Sequence, residues 1–320
     1  MILDLSEKVL KSHQYFSFFR IMAFYIYFIF IYIKNMRTII INTSNHVANT
    51  DNQYIYNFPS TVRFNDGDSI GVSSVALYNS TFNVGSSRGN NTFTISWNAA
   101  ATTTFSITIP DGYYSVENLN FFLQQQCILN NLYVTNSSGQ NVYFLEFIIN
   151  PPRYAVSLNA YPIPTAAQAT TLGYTQPVGA TWVYPAAAQC PQITFGTAFG
   201  ALIGYTAGSY PTTSTVSTTQ NFISDLTPNL NVVDSYIMTC SLINSPYSIP
   251  SDAFFSVPLT AALGALISIT PSEIVFNNIA PNSYQQIKIT FFDQNFRPLE
   301  MNDNQLTLTL AILTKGERNI

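Results

Sequence analysis

The sequence predicts an all-β chain: an elaborated single jelly-roll β-sandwich with one inserted amphipathic helix and one loop-rich insertion. Three observations lead there. From Met36 onward, short apolar or alternating runs are separated by turn residues. Two of the runs alternate with period 2: Phe105, Ile107 and Ile109 against Ser106 and Thr108, and Leu306, Leu308 and Leu310 against Thr307 and Thr309. Each such run buries one face and solvates the other. Finally, the 320 residues are 47% hydrophobic and 14% aromatic, enough for a large core and far above what a disordered tail carries.

The candidate strands are Thr38 to Asn42, Tyr54 to Phe58, Ser69 to Tyr78, Thr92 to Trp97, Phe105 to Ile109, Val142 to Ile149, Tyr154 to Leu158, Ser235 to Leu242, Phe254 to Val257, Leu266 to Ile269, Gln286 to Phe292 and Leu306 to Leu313. Twelve exceed a simple meander. Asp66-Gly67, Asp111-Gly112 and Ser138-Gly139 supply turns, and Pro151-Pro152 stops a strand by its fixed φ and missing N–H. One helix is predicted from Val116 to about Asn130, with Ser115 as N-cap and Glu117 at the positive dipole end. Val116, Leu119, Leu123 and Cys127 fall on one stripe, so the helix reads as a lid on the sandwich. Residues 160–221 are rich in Thr, Ala, Gly and Pro and read as the loop-rich insertion within a domain spanning 36–320.

Only 9% of the residues are charged, against about 25% in a typical soluble domain. The net charge is −4, and no basic residue stands between Arg153 and Lys288. Direct binding of nucleic acid through counterion release is therefore not expected. The surface has to be built from Thr, Ser, Asn, Gln and Tyr, which suits packing many copies without mutual repulsion. Cys127, Cys190 and Cys240 are odd in number and widely spaced, unlike a disulfide framework or a CxxC pair, so reduced buried thiols are expected.

Residues 1–35 stand apart. From Tyr15 to Ile33 the chain is a largely apolar run whose only charge is Arg20, flanked by Lys8, Lys11, Lys34 and Arg37. The uninterrupted part, Ile21 to Ile33, is 13 residues, where a spanning helix needs about 20. No small-residue cleavage site follows, as a signal peptide requires. Met36 opens a well-patterned strand, so the segment reads either as an upstream extension, the favoured reading, or as a membrane anchor.

The motifs that invite chemistry have plainer readings. Gly196, Gly200, Gly204 and Gly208 repeat every four residues as in packed membrane helices, but β and loop sequence surrounds them, which favours turns and close backbone approach. Asp66 with Asp68, and Asp293 with Asp303, are candidate acid pairs explained equally well as turn formers. His46 is the only plausible catalytic imidazole and lies in a polar turn region. Sequons begin at Asn42, Asn79, Asn90 and Asn136, as expected by chance in a chain this rich in Asn, Ser and Thr. No catalytic, cofactor-binding or metal-binding residue is assigned, no cofactor is implied, and the chain is not read as an enzyme.

Several blocks taken in order carry a resemblance. They are NTSNHVANTDNQYIYNFPSTVRF after Met36, IPDGYYSVENLNFFLQ around the helix, GQNVYFLEFIINPPRYAVSLNAYPIP after it, then FGALIGYTAGSYP, SYIMTCSLINSPYSIPS and ITFFDQNFRPLEMNDNQLTLTLAI. Together they resemble the minor capsid (penton) proteins of virophages, Polinton-like viruses and related large double-stranded DNA viruses. The resemblance runs from Met36 to the C-terminus and lies in the order of the blocks. It implies a jelly-roll virion subunit that forms a homopentamer at the five-fold vertices, beside the major capsid protein, assembled in the host cytoplasm or nucleus. It implies no catalytic residue. The alternative is a membrane-anchored β-sandwich adhesin or lectin-like protein, motivated by the Tyr15 to Ile33 run and the sequons.

Overall fold

A computed structural model describes residues 36–314; both readings of residues 1–35 fall outside the described residues. The described chain runs through β1 (Met36–Asn42), β2 (Gln53–Phe64) and β3 (Ser69–Tyr78). It continues through β4 (Thr92–Asn98), β5 (Thr102–Thr108), α1 (Val116–Leu129), β6 (Val134–Thr135), β7 (Asn141–Val142), β8 (Leu145–Asn150) and β9 (Ala155–Ala160). Then come α2 (Ala166–Leu172), β10 (Gln192–Phe195), α3 (Thr197–Ile203), β11 (Gly208–Tyr210) and β12 (Gln220–Ile223). The last strands are β13 (Ser235–Cys240), β14 (Ala253–Pro258), β15 (Leu266–Ile269), β16 (Asn277–Asn278), β17 (Asn282–Phe292) and β18 (Leu306–Leu313). Two compact units emerge: residues 36–80 with 234–314, and Thr81–Val233.

The first unit holds two antiparallel sheets, β1-β18-β3-β15 and β14-β13-β17-β2, with β16 also pairing with β3. Numbering the unit's eight principal strands along the chain, the sheets read 1-8-3-6 and 5-4-7-2. That is jelly-roll wiring, two Greek keys wound into a sandwich. The predicted class is therefore observed. Leu306, Leu308, Leu310 and Ile312 of β18 alternate into the core as the period-2 pattern requires. On β3 the buried set changes phase, from Ile70 and Val72 to Val75 and Leu77. The pairing explains the change: Leu310 faces Val72 while Thr309 faces Ser74, so Ser73 is an extra residue in the ladder. A bulge of this kind resets which face each later side chain takes.

The second unit is the excursion between β3 and β13. It has sheets β11-β10-β4-β5 and β12-β9-β8, a small β6-β7 hairpin and the three helices. One apolar cluster fills it, including Trp97, Phe195, Phe199, Tyr205 and the α1 residues Leu119, Leu123 and Cys127. Trp97 makes edge contacts with Phe144 and Trp182 at centroid distances of 5.7 and 5.3 Å.

Helix α1 forms as expected: Ser115 Oγ accepts the Asn118 N–H, and Val116, Leu119, Leu123 and Cys127 are buried. It differs from the expected lid in what it covers. It packs on β8 inside the second unit, where Asn120 Oδ1 accepts the Phe147 N–H. Residues 160–221 also hold more regular structure than their composition suggests, with two helices and three short strands. Thr165 and Gln168 close a capping box at the start of α2, and Gly173 ends that helix in the left-handed conformation.

Candidate functional site

The residues that chemistry would use are held in structural roles. His46 Nδ1 lies 3.3 Å from Asn304 Nδ2, and its ring meets the buried Tyr54 edge-on at 5.3 Å. Its Nε2 is buried without a hydrogen-bond partner, and no serine or cysteine among the described residues hydrogen-bonds the ring. A cavity of about 310 Å³ beside it is lined by Thr50, Asp51, Glu300, Met301, Asn302 and Asn304. No cluster of His, Cys, Asp or Glu suited to a metal ion exists among the described residues.

The two acid pairs serve turns. Asp293 is buried, and its Oδ1 accepts the N–H groups of Asn295 and Arg297 at 2.8 and 2.9 Å; Asp303 Oδ1 accepts from Gln305 N–H at 2.9 Å. Asp68 N–H closes a turn on the Asn65 carbonyl, with Gly67 at φ +89° where an L side chain is strained. Asp225 would be raised by burial, yet the Thr206 hydroxyl and N–H hold its carboxyl below the usual range. A hydrogen bond from Ser115 likewise lowers Glu117.

The thiols are unreactive by position. All three are free and buried, and burial pushes Cys127 up to about 12, Cys190 up to about 11 and Cys240 up to about 12. The glycine repeat is likewise local. Gly196 and Gly204 bracket the seven-residue α3, and a Cβ on Gly200 would lie 2.5 Å from the Tyr205 carbonyl oxygen. Among the described residues no helix is long and apolar enough to cross a membrane. Of the sequons, Asn90 is buried, accepting from Gly85 N–H and donating to the Asn83 carbonyl, so it is closed to glycan attachment.

What remains for function is surface. The outward face of β1-β18-β3-β15 presents Thr38, Ile40, Ser74, Ser268, Thr307 and Thr309, hydroxyls and methyls with no charge among them. In the second unit, α1 exposes Phe121, Ile128 and Leu129, with Leu129 73% exposed. A helical wheel from Ser115 finds that second stripe; sequence reasoning followed only the inward one. The network centred on Asn83 was also missed, since a lone Asn gives no pattern.

No family model matches the chain, and no curated protein matches it. Among solved structures, the chain is similar to the mavirus penton protein, with 10% identity, TM-score 0.40, and coverage of 88% of this chain and 98% of that one. It is also similar to a chain of the Sputnik virophage structure from cryo-EM, with 9% identity, TM-score 0.36, and coverage of 88% and 98%.

Proposed function

We propose that this chain is a structural virion protein, a minor capsid (penton) subunit forming the five-fold vertices of an icosahedral capsid. The observation that carries the reading is the jelly-roll wiring of the first unit together with the uncharged solvent face of its first sheet. A ring of identical subunits repeats every lateral contact, and a charged face repeated around it would repel itself. Here hydroxyls and methyls stand where charges normally keep a monomer apart. The ordered sequence blocks support the same reading.

On this reading the partners are further copies of the chain in a homopentamer and the major capsid protein around the vertex. The chain contacts no nucleic acid directly, and assembly takes place in the host cytoplasm or nucleus. The test is location in purified particles. Gold-labelled antibody against the chain should mark the vertices; particles that contain the major capsid protein but lack this chain would overturn the proposal.

A further inference from the structure

The cavity of about 310 Å³ beside His46 has no part in the assembly reading, and its chemistry is one-sided. It lies within the first unit, between the β1–β2 connection and the chain that leads into β18. Its walls are braced from behind. The Thr50 N–H and hydroxyl both donate to the Val47 carbonyl, at 3.2 and 2.8 Å. Asn52 Nδ2 donates to the Phe291 carbonyl at 2.7 Å, and the Tyr54 hydroxyl donates to the Asn304 carbonyl at 2.9 Å. A site built this way exists before a ligand enters, which spares the ordering cost of binding.

The side-chain donors that border the cavity are spent on the protein, and acceptors are left over. Asn302 Nδ2 donates to the Ser80 carbonyl at 2.8 Å; a carbonyl only accepts, so the amide orientation is set and Oδ1 is the free end. Asn304 Nδ2 donates to His46 Nδ1 at 3.3 Å, which likewise leaves its Oδ1 over. Among the described residues no donor reaches either Oδ1 or the Asp51 carboxylate. His46 Nε2, unpartnered as well, is sealed from solvent. The charged residues of the lining, Asp51 and Glu300, are both acidic, and among the described residues no Lys or Arg lines the cavity.

Surplus acceptors beside negative charge select a ligand that brings several N–H donors, a positive charge and no acceptor. Carboxylates and phosphates are repelled. A sugar hydroxyl brings acceptor lone pairs along with its proton and meets no free side-chain donor. Among the described residues no group of His, Asp and Glu is suited to a metal ion. Guanidinium and primary ammonium groups meet the requirement, the former with five donors in a planar fork. Buried Met301 adds apolar surface for an alkyl stem. We propose that this cavity binds an alkylguanidinium or alkylammonium group, whose N–H bonds are accepted by the Asp51 carboxylate and the side-chain oxygens of Asn302 and Asn304. The group belongs either to an arginine or lysine side chain of a protein or to a free amine, and the experiment separates these sources.

The full chain, with isotope-labelled histidine, is titrated with propylguanidinium, propylammonium and a blocked glycine peptide carrying one arginine, and with glucose, propionate and calcium as controls at equal ionic strength. The imidazole signal of His46, assigned with His13→Gln, reports binding beside it. The expected result is saturable movement of that signal by the two cations, about tenfold weaker in Asp51→Asn, and none by the controls. A peptide that binds at least as tightly as propylguanidinium assigns the group to a protein side chain, and a peptide that is excluded assigns it to a free amine; both support the proposal. Should Asp51→Asn misfold, the selectivity of the wild type decides alone. A His46 signal that neither cation moves, one that glucose, propionate or calcium moves equally, or a folded Asp51→Asn of unchanged affinity would overturn the proposal and leave the capsid reading standing.

Discussion

Asn83 holds Tyr114 as a neighbouring strand would: its Oδ1 accepts the Tyr114 N–H at 2.8 Å and its Nδ2 donates to the Tyr114 carbonyl at 2.9 Å. The same Nδ2 donates to the Leu230 carbonyl at 3.0 Å, and Asn83 is 1% exposed. One buried amide thus ties residues near the start, the α1 approach and the end of the second unit.

Replacing Asn83 by Ala strips the partners from three backbone groups. The expected cost is about 2–3 kcal/mol, read as a fall in melting temperature of roughly 5–10 °C. Asn83→Asp, which turns a carboxylate oxygen toward the Tyr114 and Leu230 carbonyl oxygens in a buried site, should cost at least as much as Ala. A melting temperature unchanged in Asn83→Ala would contradict the role given to this network.

Gly204 has φ +82°, and a Cβ there would lie 2.4 Å from the Leu226 carbonyl oxygen; Gly196, the N-cap of α3, has open space around its Cβ position. Gly204→Ala should destabilise by about 1–3 kcal/mol. Gly196→Ser should be neutral or gain a few tenths of a kcal/mol by adding a capping hydroxyl. Chemical denaturation of the pair checks the contrast.

Because burial raises all three thiols, the folded state keeps their protons at pH values where the unfolded chain loses them. Between about pH 8.5 and the folded values, the native state therefore binds more protons than the unfolded one, and stability falls as pH rises. Below that window the contribution is fully present. Denaturation midpoints at pH 7.5, 9 and 10.5 should decline in that order. A disulfide-exchange reagent should titrate no thiol among Cys127, Cys190 and Cys240 in the native chain at neutral pH, and all three after unfolding.

Ser115→Ala removes the cap bond to Asn118 N–H and should cost about 1 kcal/mol, whereas Ser115→Asp should keep most of it. Fluorescence-detected melting of both variants against wild type measures the difference.

Most strands were legible because alternation is local: Ser69–Tyr78, Leu266–Ile269 and Leu306–Leu313 occupy the predicted bounds. So was α1, from its cap and stripe. The division of those strands between two units was not, because period 2 reports a buried face and carries no partner. Phe105 and Leu306 alternate alike, yet Phe105 packs against the second unit's core cluster and Leu306 in the jelly roll. Helix α2 was visible in principle through Thr165, Gln168 and Gly173, signals overshadowed by the Thr and Ala content around them. The acceptor-lined cavity beside His46 was hidden because long-range pairing alone brings Asp51 and Asn302 to one site.

The central claim is a closed ring, and native mass spectrometry of the full chain tests it most directly. The account predicts a species of five times the 35.6 kDa chain mass, imaged as rings in negative stain. A chain that remains monomeric at every concentration tried, alone and with the major capsid protein, would contradict it.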